Sequence, residues 1–257
     1  MTNGSRIDPA DRPLDDIVAE ARRILARASA GSVPLRLIGG VAIHLHSSVP
    51  RQGLARPFKD IDLVTPRTRG RELTSFIASL GYAADDPFNA MNAGRRALYY
   101  DTRRERQLDV FVGSFEMCHV VPIADRFEIE PETLPLAELL LTKLQVVELN
   151  EKDMRDIMAL LVEHELGDHD ADTINAAFVA KLCAEDWGLW RTCTMNIERS
   201  RAGLESFNLS SDDRRVLADR LESLLSRIEA VPKSRRWKLR ARIGDKVRWY
   251  EEPEEVG

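Results

Sequence analysis

Hydrophobic and polar positions follow two different patterns along this chain of 257 residues. Residues 14–30 place apolar side chains every three or four positions, which predicts an amphipathic helix that ends at Gly31. Short apolar runs bounded by turn residues then alternate with segments that have the apolar spacing of helices. The last two apolar runs, separated by a charged turn, predict a β-hairpin. The predicted strands cover 34–40, 59–65, 96–101 and 106–113, and the predicted helices between them cover 41–48 and 70–81.

The pattern changes after Pro135, where helical spacing becomes continuous. Strong amphipathic helices are predicted over 136–150 and 152–166, and helical spacing continues to Arg248 with a few breaks. Strands mixed with helices, followed by helices alone, predict an α/β (α+β) protein with a small mixed sheet, flanking helices and an all-helical C-terminal region. The expected divisions are a disordered or loosely ordered N-terminus at 1–13, an α/β domain at 14–130, a helical domain at 131–250 and an acidic tail at 251–257.

Composition narrows the class of protein. Hydrophobic residues make up 44% of the chain and charged residues 31%, which is ordinary for a globular protein. No apolar run approaches the roughly 20 residues of a membrane span, and the polar N-terminus lacks the apolar core of a signal peptide. Three cysteines without a CxxC pair argue against a disulfide framework and against a cysteine-based zinc site. We therefore expect a cytoplasmic protein without membrane contact.

The charge is unevenly distributed although the net charge is only −5. The window 233–248 holds eight Lys or Arg residues and one Asp, and Trp237, Trp249 and Tyr250 lie in or beside it. Cations interleaved with aromatic rings suit RNA or another polyanion. The same window equally suits a charged helix that packs against acidic parts of its own chain.

Two carboxylates in the second predicted strand suggest a metal site. Asp60 and Asp62 are two residues apart in a predicted strand, so both point to one side, while Ile61 and Leu63 point into a core. Like charges this close repel unless a cation lies between them, and carboxylates are the ligands that Mg²⁺ prefers. Asp109 occupies an equivalent position in a later strand. If the two strands are neighbours, the three carboxylates suit a two-metal phosphoryl-transfer site; otherwise they face solvent at strand ends.

A glycine pair adds to this pattern. Gly39 and Gly40 end a predicted strand and open a helix, a geometry that lets backbone N–H groups approach phosphate oxygens. The segments LIGGVAIHLH, RPFKDIDLV and QLDVFVG together resemble the nucleotidyltransferase (polymerase-beta-like) superfamily. The helices that follow resemble more narrowly the AbiEii-type nucleotidyltransferase-like group, which includes toxin members. The residues that carry this second resemblance are Lys143, Lys152, Asp153 and Asp156.

The resemblance implies a nucleotidyltransferase-type sheet and a metal site. Asp60 and Asp62 would hold two Mg²⁺ ions, and Asp109 would complete the site and help to activate the attacking group. These three residues are therefore the expected catalytic and metal-binding set.

The resemblance also implies a site for a nucleoside triphosphate. Gly39 and Gly40 would cradle its β- and γ-phosphates, and Lys143 would neutralise its charge. Asp156, inside the following helix, would orient Lys143 or the acceptor. Asp153 is equally explained by a favourable position at a helix start.

The connection between Gly40 and Asp60, about twenty residues long, departs from the compact members of the superfamily. It could form a flexible loop over the nucleotide. Arg51 and Arg56 within it are either phosphate contacts or solvated charges.

The expected function is Mg²⁺-dependent transfer of a nucleoside monophosphate from an NTP to an acceptor hydroxyl. The acceptor would be RNA or tRNA bound through 233–248, and the toxin members of the group imply a toxin-like enzyme with an antitoxin or another protein partner. Two alternatives remain: an antibiotic-type enzyme that modifies a small molecule, and a non-catalytic nucleotide-binding or interaction module with the same fold.

Overall fold

The computed structural model describes residues 12–47, 51, 53–66, 70–92, 94–101 and 103–252. The N-terminus predicted at 1–13 lies outside these ranges except for residues 12–13. The acidic tail predicted at 251–257 lies outside them except for residues 251–252. Among the helices of the described ranges, none has both the length and the apolar character needed to cross a membrane.

The chain divides into two compact units, which are described separately. The second unit takes up most of the region predicted to be helical, but it also includes two segments, 42–56 and 116–121, from the region predicted to be the α/β domain. The first unit comprises Met1–Val41, Pro57–Phe115 and Pro122–Leu134, and the second comprises Ala42–Arg56, Glu116–Val121 and Pro135–Gly257.

The first half of the chain contains the main sheet and the helices beside it. Helix α1 begins after Asp16, whose side chain accepts a hydrogen bond from the Ala19 N–H, and it ends at Gly31. The helices are α1 (Ile17–Ala30), α2 (Gly39–Leu45), α3 (Gly70–Ser79) and α4 (Asp86–Met91). The strands are β1 (Arg36–Ile38), β2 (Ile61–Thr65), β3 (Ala83–Ala84), β4 (Arg96–Asp101), β5 (Arg106–Val112), β6 (Ser114–Glu116) and β7 (Val120–Pro122).

Five of these strands form one mixed sheet in the order β1-β2-β5-β4-β3, and β6 pairs separately with β7. Strands β2 and β5 are parallel, whereas the other neighbours in the five-stranded sheet are antiparallel. The predicted hairpin of β4 and β5 and the mixed sheet are confirmed. Strands β2 and β5, which carry the predicted site, are neighbours, and this was the condition on which that site depended. The protein therefore belongs to the mixed α/β class.

Strands β2 and β5 lie at the centre of the sheet and are buried. Ile61 and Leu63 have no exposed surface, as predicted for the core side of β2. Val64 is buried as well, so the strand is covered on both faces beyond Asp62. The prediction that the strand begins at 59 is wrong, because β2 begins at Ile61 and Asp60 precedes it.

The second unit is built mainly from helices. Helix α5 is buried almost all round, and α9 buries one apolar stripe, as its helical spacing predicts. Asn, Asp and Ser side chains cap most of these helices at their N-termini. The helices are α5 (Leu136–Leu144), α6 (Glu151–Glu163), α7 (Ala176–Glu185), α8 (Trp187–Ala202), α9 (Ser211–Ala230) and α10 (Arg235–Ile243).

The prediction of an entirely helical C-terminal region is wrong at one point. Strands β8 (Leu166–Gly167) and β9 (Ile174–Asn175) pair in parallel between α6 and α7. Each strand has two residues, which is too short to produce an alternating apolar pattern. The sequence reads there as a break between helices.

Candidate functional site

Asp62 and Asp109 are direct partners in the pairing of the parallel strands β2 and β5. Neighbouring strands lie about 4.8 Å apart, and partners in parallel register point to the same face of the sheet. The two carboxylates therefore share one face near the start of β2. Asp62 is partly exposed, whereas Asp109 is buried, with 3% of its surface exposed.

Gly39 lies against the carboxylate of Asp62. Ile38, the last residue of β1, pairs with Asp62 across the sheet, and Gly39 follows it with a φ of 67°. A Cβ atom at this position would lie 2.0 Å from Asp62 Oδ2, so only glycine fits here. The first glycine of the predicted phosphate-binding turn therefore adjoins the predicted metal-binding strand, and Gly40 follows it within α2.

Arg96 neutralises the third carboxylate. It lies at the start of β4, and its guanidinium donates to both carboxylate oxygens of Asp109 at 2.5 to 3.0 Å. The same guanidinium lies 5.1 Å from the ring centroid of Phe111 and 5.4 Å from that of Phe88. Arg96 is thus held by a bidentate ion pair and by two cation–π contacts.

The electrostatics of this face follow from burial and from the ion pair. Burial raises the pKa of Asp109, and the hydrogen bonds and positive charge of Arg96 offset part of that rise. Burial also raises the pKa of the Tyr100 hydroxyl on β4, and the carboxylates of Asp85, Asp109 and Asp60 raise it further. Asp60 and Asp109 therefore act on the same hydroxyl, although Asp60 is exposed and lies before β2.

The second unit contains the other predicted nucleotide-binding residues, Lys143 on α5 and Asp156 on α6. Lys143 Nζ lies 3.0 Å from Asp156 Oδ2 and 3.3 Å from Asp153 Oδ1. Arg56 donates to both oxygens of Asp156, at 2.7 and 2.6 Å. Between 6% and 14% of each side chain is exposed, so two cations and two carboxylates form a largely buried network. Asn150 caps α6, and Asp153 lies in its first turn, where a carboxylate is favoured, as the helix-start interpretation of Asp153 predicts.

The two loop arginines form ion pairs within the second unit. Arg51 contacts Glu163 and Asp213, and Arg56 contacts Asp156. Neither arginine is a simple solvated charge. Residues 48–50 and 52 of the same loop lie outside the described residues, so the prediction of a loop over the nucleotide is not addressed there.

The basic window forms α10 and the segment that follows it. Helix α10 buries none of its residues. Arg240 bonds to the carbonyls of Gly244 and Val247, and its guanidinium lies 4.6 Å from the ring centroid of Trp187. Part of the window is therefore used inside the unit, while Arg235, Arg236, Lys238 and Arg242 are exposed.

Sequence reasoning did not identify Arg96 as a member of the site. Its position in the predicted hairpin beside the Asp109 strand was the available signal, because cross-strand neighbours of opposite charge often pair. The role of Arg56 was also missed, since its partner Asp156 is 100 residues away in the chain.

Within the part of the chain that the structure describes, no group of three or more His, Cys, Asp or Glu side chains could hold a metal ion. The three-carboxylate metal set therefore stays a prediction.

Comparisons with protein-family models, curated proteins and solved structures found no match for this chain. The nucleotidyltransferase resemblance thus depends on the residues themselves.

Proposed function

We propose that this protein is a Mg²⁺-dependent nucleotidyltransferase with a sheet of the nucleotidyltransferase type, which moves a nucleoside monophosphate from an NTP to an acceptor hydroxyl. The observation that carries the proposal is the register of β2 and β5, which makes Asp62 and Asp109 neighbours on one face. Gly39 supports it, because its missing side chain lets the Asp62 carboxylate lie directly against the glycine turn. Carboxylates that can hold a metal ion are what metal-assisted phosphoryl transfer needs.

The residues fit the expected metal in part. Asp60 and Asp62 offer carboxylate oxygens, which suit Mg²⁺, and they would hold the ion. A bound Mg²⁺ would neutralise charge on the transferred phosphate. Asp109 faces the guanidinium of Arg96, so a role for Asp109 as a metal ligand or as a base requires Arg96 to move away.

The chain's own residues would act as follows in the proposed reaction. Gly39 and Gly40 would let phosphate oxygens approach the backbone. Asp109 would position the acceptor hydroxyl and take up its proton, a task that its raised pKa favours. Lys143 keeps the charge-neutralising role that the resemblance implies, with Asp156 as the carboxylate that orients it.

The test measures release of pyrophosphate, a product that forms whichever acceptor is used. Each reaction contains the protein, Mg²⁺ and one of the four NTPs with a labelled α-phosphate. The acceptor in each reaction is total RNA or an aminoglycoside, and a third set of reactions has no acceptor. We expect release and labelled product with the wild type and at least a 100-fold lower rate for Asp60→Asn/Asp62→Asn. Asp125→Asn, which changes an exposed carboxylate of the same unit, is the matched control. Equal rates in the wild type and the double variant would reject the proposal.

One observation favours a second candidate, a non-catalytic nucleotide-binding module. Arg96 satisfies the charge of Asp109 without any metal. This candidate predicts saturable NTP binding without pyrophosphate release in any of the acceptor mixtures. Labelled NTP binding, measured beside the rate assay, separates the two candidates.

A further inference from the structure

A cavity of about 350 Å³ lies wholly within the second unit. It is bounded by the start of α8, one side of α10, the segment 248–251 and the turn at 118–120. Pockets that bind small ligands begin at about 300 Å³, so this cavity has room for one small planar molecule. None of the predicted catalytic residues lines it.

Aromatic rings form much of its wall. Trp237, Trp249 and Tyr250 are half-buried and line the cavity, with ring centroids of Trp249 and Tyr250 5.4 Å apart. Trp187 also lines the cavity, with its ring centroid 6.2 Å from that of Trp249 and the Arg240 guanidinium over its face. Partly open rings at steep angles to one another favour a flat ligand that stacks on one ring and meets the next at its edge, as a nucleobase can.

A chain of hydrogen bonds holds this wall in place. Trp249 Nε1 donates to Thr192 Oγ1 at 3.0 Å, and Thr192 Oγ1 lies 2.8 Å from His119 Nε2. An indole can only donate, so Thr192 Oγ1 is the acceptor towards Trp249, whereas the tautomer of His119 sets which atom donates between Thr192 and His119. Burial lowers the pKa of His119 to about 4, which keeps the ring neutral at pH 7. Ligand binding to such a preorganised wall costs little ordering entropy.

Gly188 brings the same segment close to α8. A Cβ atom at position 188 would lie 2.5 Å from the carbonyl oxygen of Trp249, so a side chain there would push the segment away. The Glu251 N–H donates to the carbonyl of Cys118 at 3.0 Å. The segment that carries Trp249 and Tyr250 is therefore fixed on both sides.

The charge of the lining limits the ligand further. Arg236 and Arg248 are exposed at the edge of the cavity and can contact an anion. A triphosphate brings several negative charges and matches a lining without net charge poorly, whereas a single phosphate needs only these two arginines. Three arginines and three acids line the cavity: Arg236, Arg240, Arg248, Glu185, Asp186 and Glu251.

We propose that this cavity binds a nucleobase that carries one phosphate, with the base among Trp237, Trp249 and Tyr250, stacked on the face of one ring and in edge contact with another, and the phosphate at Arg236 and Arg248. A free mononucleotide and the terminal nucleotide of a single-stranded RNA present this same chemistry. The exposed cations of α10 outside the cavity would contact further phosphates only if the source is a strand. The proposal does not depend on nucleotidyl transfer, because binding needs neither an NTP nor Mg²⁺.

The test uses the full chain with ¹⁵N-labelled tryptophan, whose four indole N–H signals include three from the cavity wall. Adenosine 5′-monophosphate is titrated beside adenosine, inorganic phosphate and a five-residue oligoadenylate, all without Mg²⁺. We expect saturable shifts of the Trp237 and Trp249 signals with the monophosphate, several-fold weaker binding of adenosine and no shift with phosphate alone. Absence of a saturable shift with every one of these probes would overturn the proposal.

Variants assign the binding to the cavity. Tyr250→Ala and the pair Arg236→Ala/Arg248→Ala should each weaken binding of the monophosphate at least five-fold. Arg235→Ala removes an exposed cation of the same helix that does not line the cavity, and it should leave this affinity within two-fold. Circular dichroism and the melting temperature check that each variant folds. Equal losses in Arg235→Ala and in the arginine pair would overturn the proposal.

The oligoadenylate separates the two sources. Ten-fold tighter binding than the monophosphate, lost in Arg235→Ala, identifies a strand as the ligand, whereas equal affinity identifies a free nucleotide. Asp60→Asn/Asp62→Asn should bind all probes like the wild type. A failure of the proposed nucleotidyl transfer is therefore distinguishable from a failure of this site.

Discussion

Arg96 and Asp109 form a bidentate ion pair on neighbouring antiparallel strands, and 11% and 4% of their side chains are exposed. Arg96→Gln would leave the carboxylate buried without its counter-ion. We expect a loss of about 3 to 5 kcal/mol in the free energy of unfolding, measured by urea denaturation at pH 7.5. Arg95→Gln, an exposed neighbour, should change it by less than about 0.5 kcal/mol.

The same variant should depend on pH in a defined direction. Burial raises the pKa of Asp109, and Arg96 opposes that rise, so without Arg96 the folded-state pKa climbs further above its unfolded value. The folded state then binds more protons than the unfolded state, and stability falls as pH rises through this window. The deficit of Arg96→Gln should therefore be smaller at pH 5 than at pH 8. An equal deficit at both values would show that Asp109 is not the group left unpaired.

Gly39→Ala should destabilise the protein for two separable reasons. The positive φ costs an alanine about 1 to 2 kcal/mol, and the overlap with Asp62 Oδ2 adds about 1 to 3 kcal/mol. Gly94→Ala is the matched control, because Gly94 has a φ of 81° but no atom within 4 Å of the added Cβ. It should lose only the first amount in the same urea experiment.

A double variant identifies the source of the overlap. Gly39→Ala/Asp62→Ala removes the two closest atoms of Asp62, so its loss should be smaller than the sum of the single losses by at least about 1 kcal/mol. Additive losses would mean that the carboxylate does not lie against Gly39.

How much of the fold and of the candidate site the sequence predicts depends on how far apart along the chain the interacting residues are. The apolar runs around Ile61 and Val110 identify the central strands, and the hairpin of β4 and β5 follows from the charged turn between them. Adjacency of β2 and β5 was only a condition in the sequence argument, because parallel neighbours are joined through a long crossover. The pairing of Asp62 with Asp109 needs that adjacency and a fixed register.

Long-range ion pairs are the least predictable feature. Arg56 reaches Asp156 from a segment rich in turn residues, where a solvated charge was the ordinary expectation. No periodicity connects residues that far apart. The start of β2 was also misplaced, because Lys59 and Asp60 continue the strand pattern by composition, whereas the strand begins at Ile61.

Asp156 should matter more to stability than Asp153. Asp156 bonds to Arg56 and Lys143 together, whereas the Asp153 carboxylate bonds to Lys143 at the longer distance of 3.3 Å. Asp156→Asn leaves two largely buried cations short of negative charge, and we expect a loss of about 3 to 5 kcal/mol. Asp153→Asn should cost about 1 kcal/mol, because Lys143 keeps its other partner.

The salt dependence of this difference tests its cause. Largely buried pairs are screened little, so 0.5 M NaCl should leave the gap between the two variants nearly unchanged in urea denaturation. A gap that disappears with salt would place these charges in solvent.

His119 should make the protein less stable at acidic pH. Burial lowers its pKa to about 4 in the folded state, against about 6.5 when unfolded, and the charge of Asp186 offsets only part of this effect. The unfolded state therefore binds more protons below pH 6.5, and the stabilisation is complete above that value and lost as pH falls towards 4. At pH 5 the loss from His119 alone is about 2 kcal/mol.

His119→Gln should therefore lose about 2 kcal/mol less than the wild type between pH 7.5 and pH 5, measured by urea denaturation at both values. His169→Gln, which changes an exposed histidine, should follow the wild type. Identical pH dependence of His119→Gln and the wild type would mean that burial does not hold the pKa of His119 below its unfolded value.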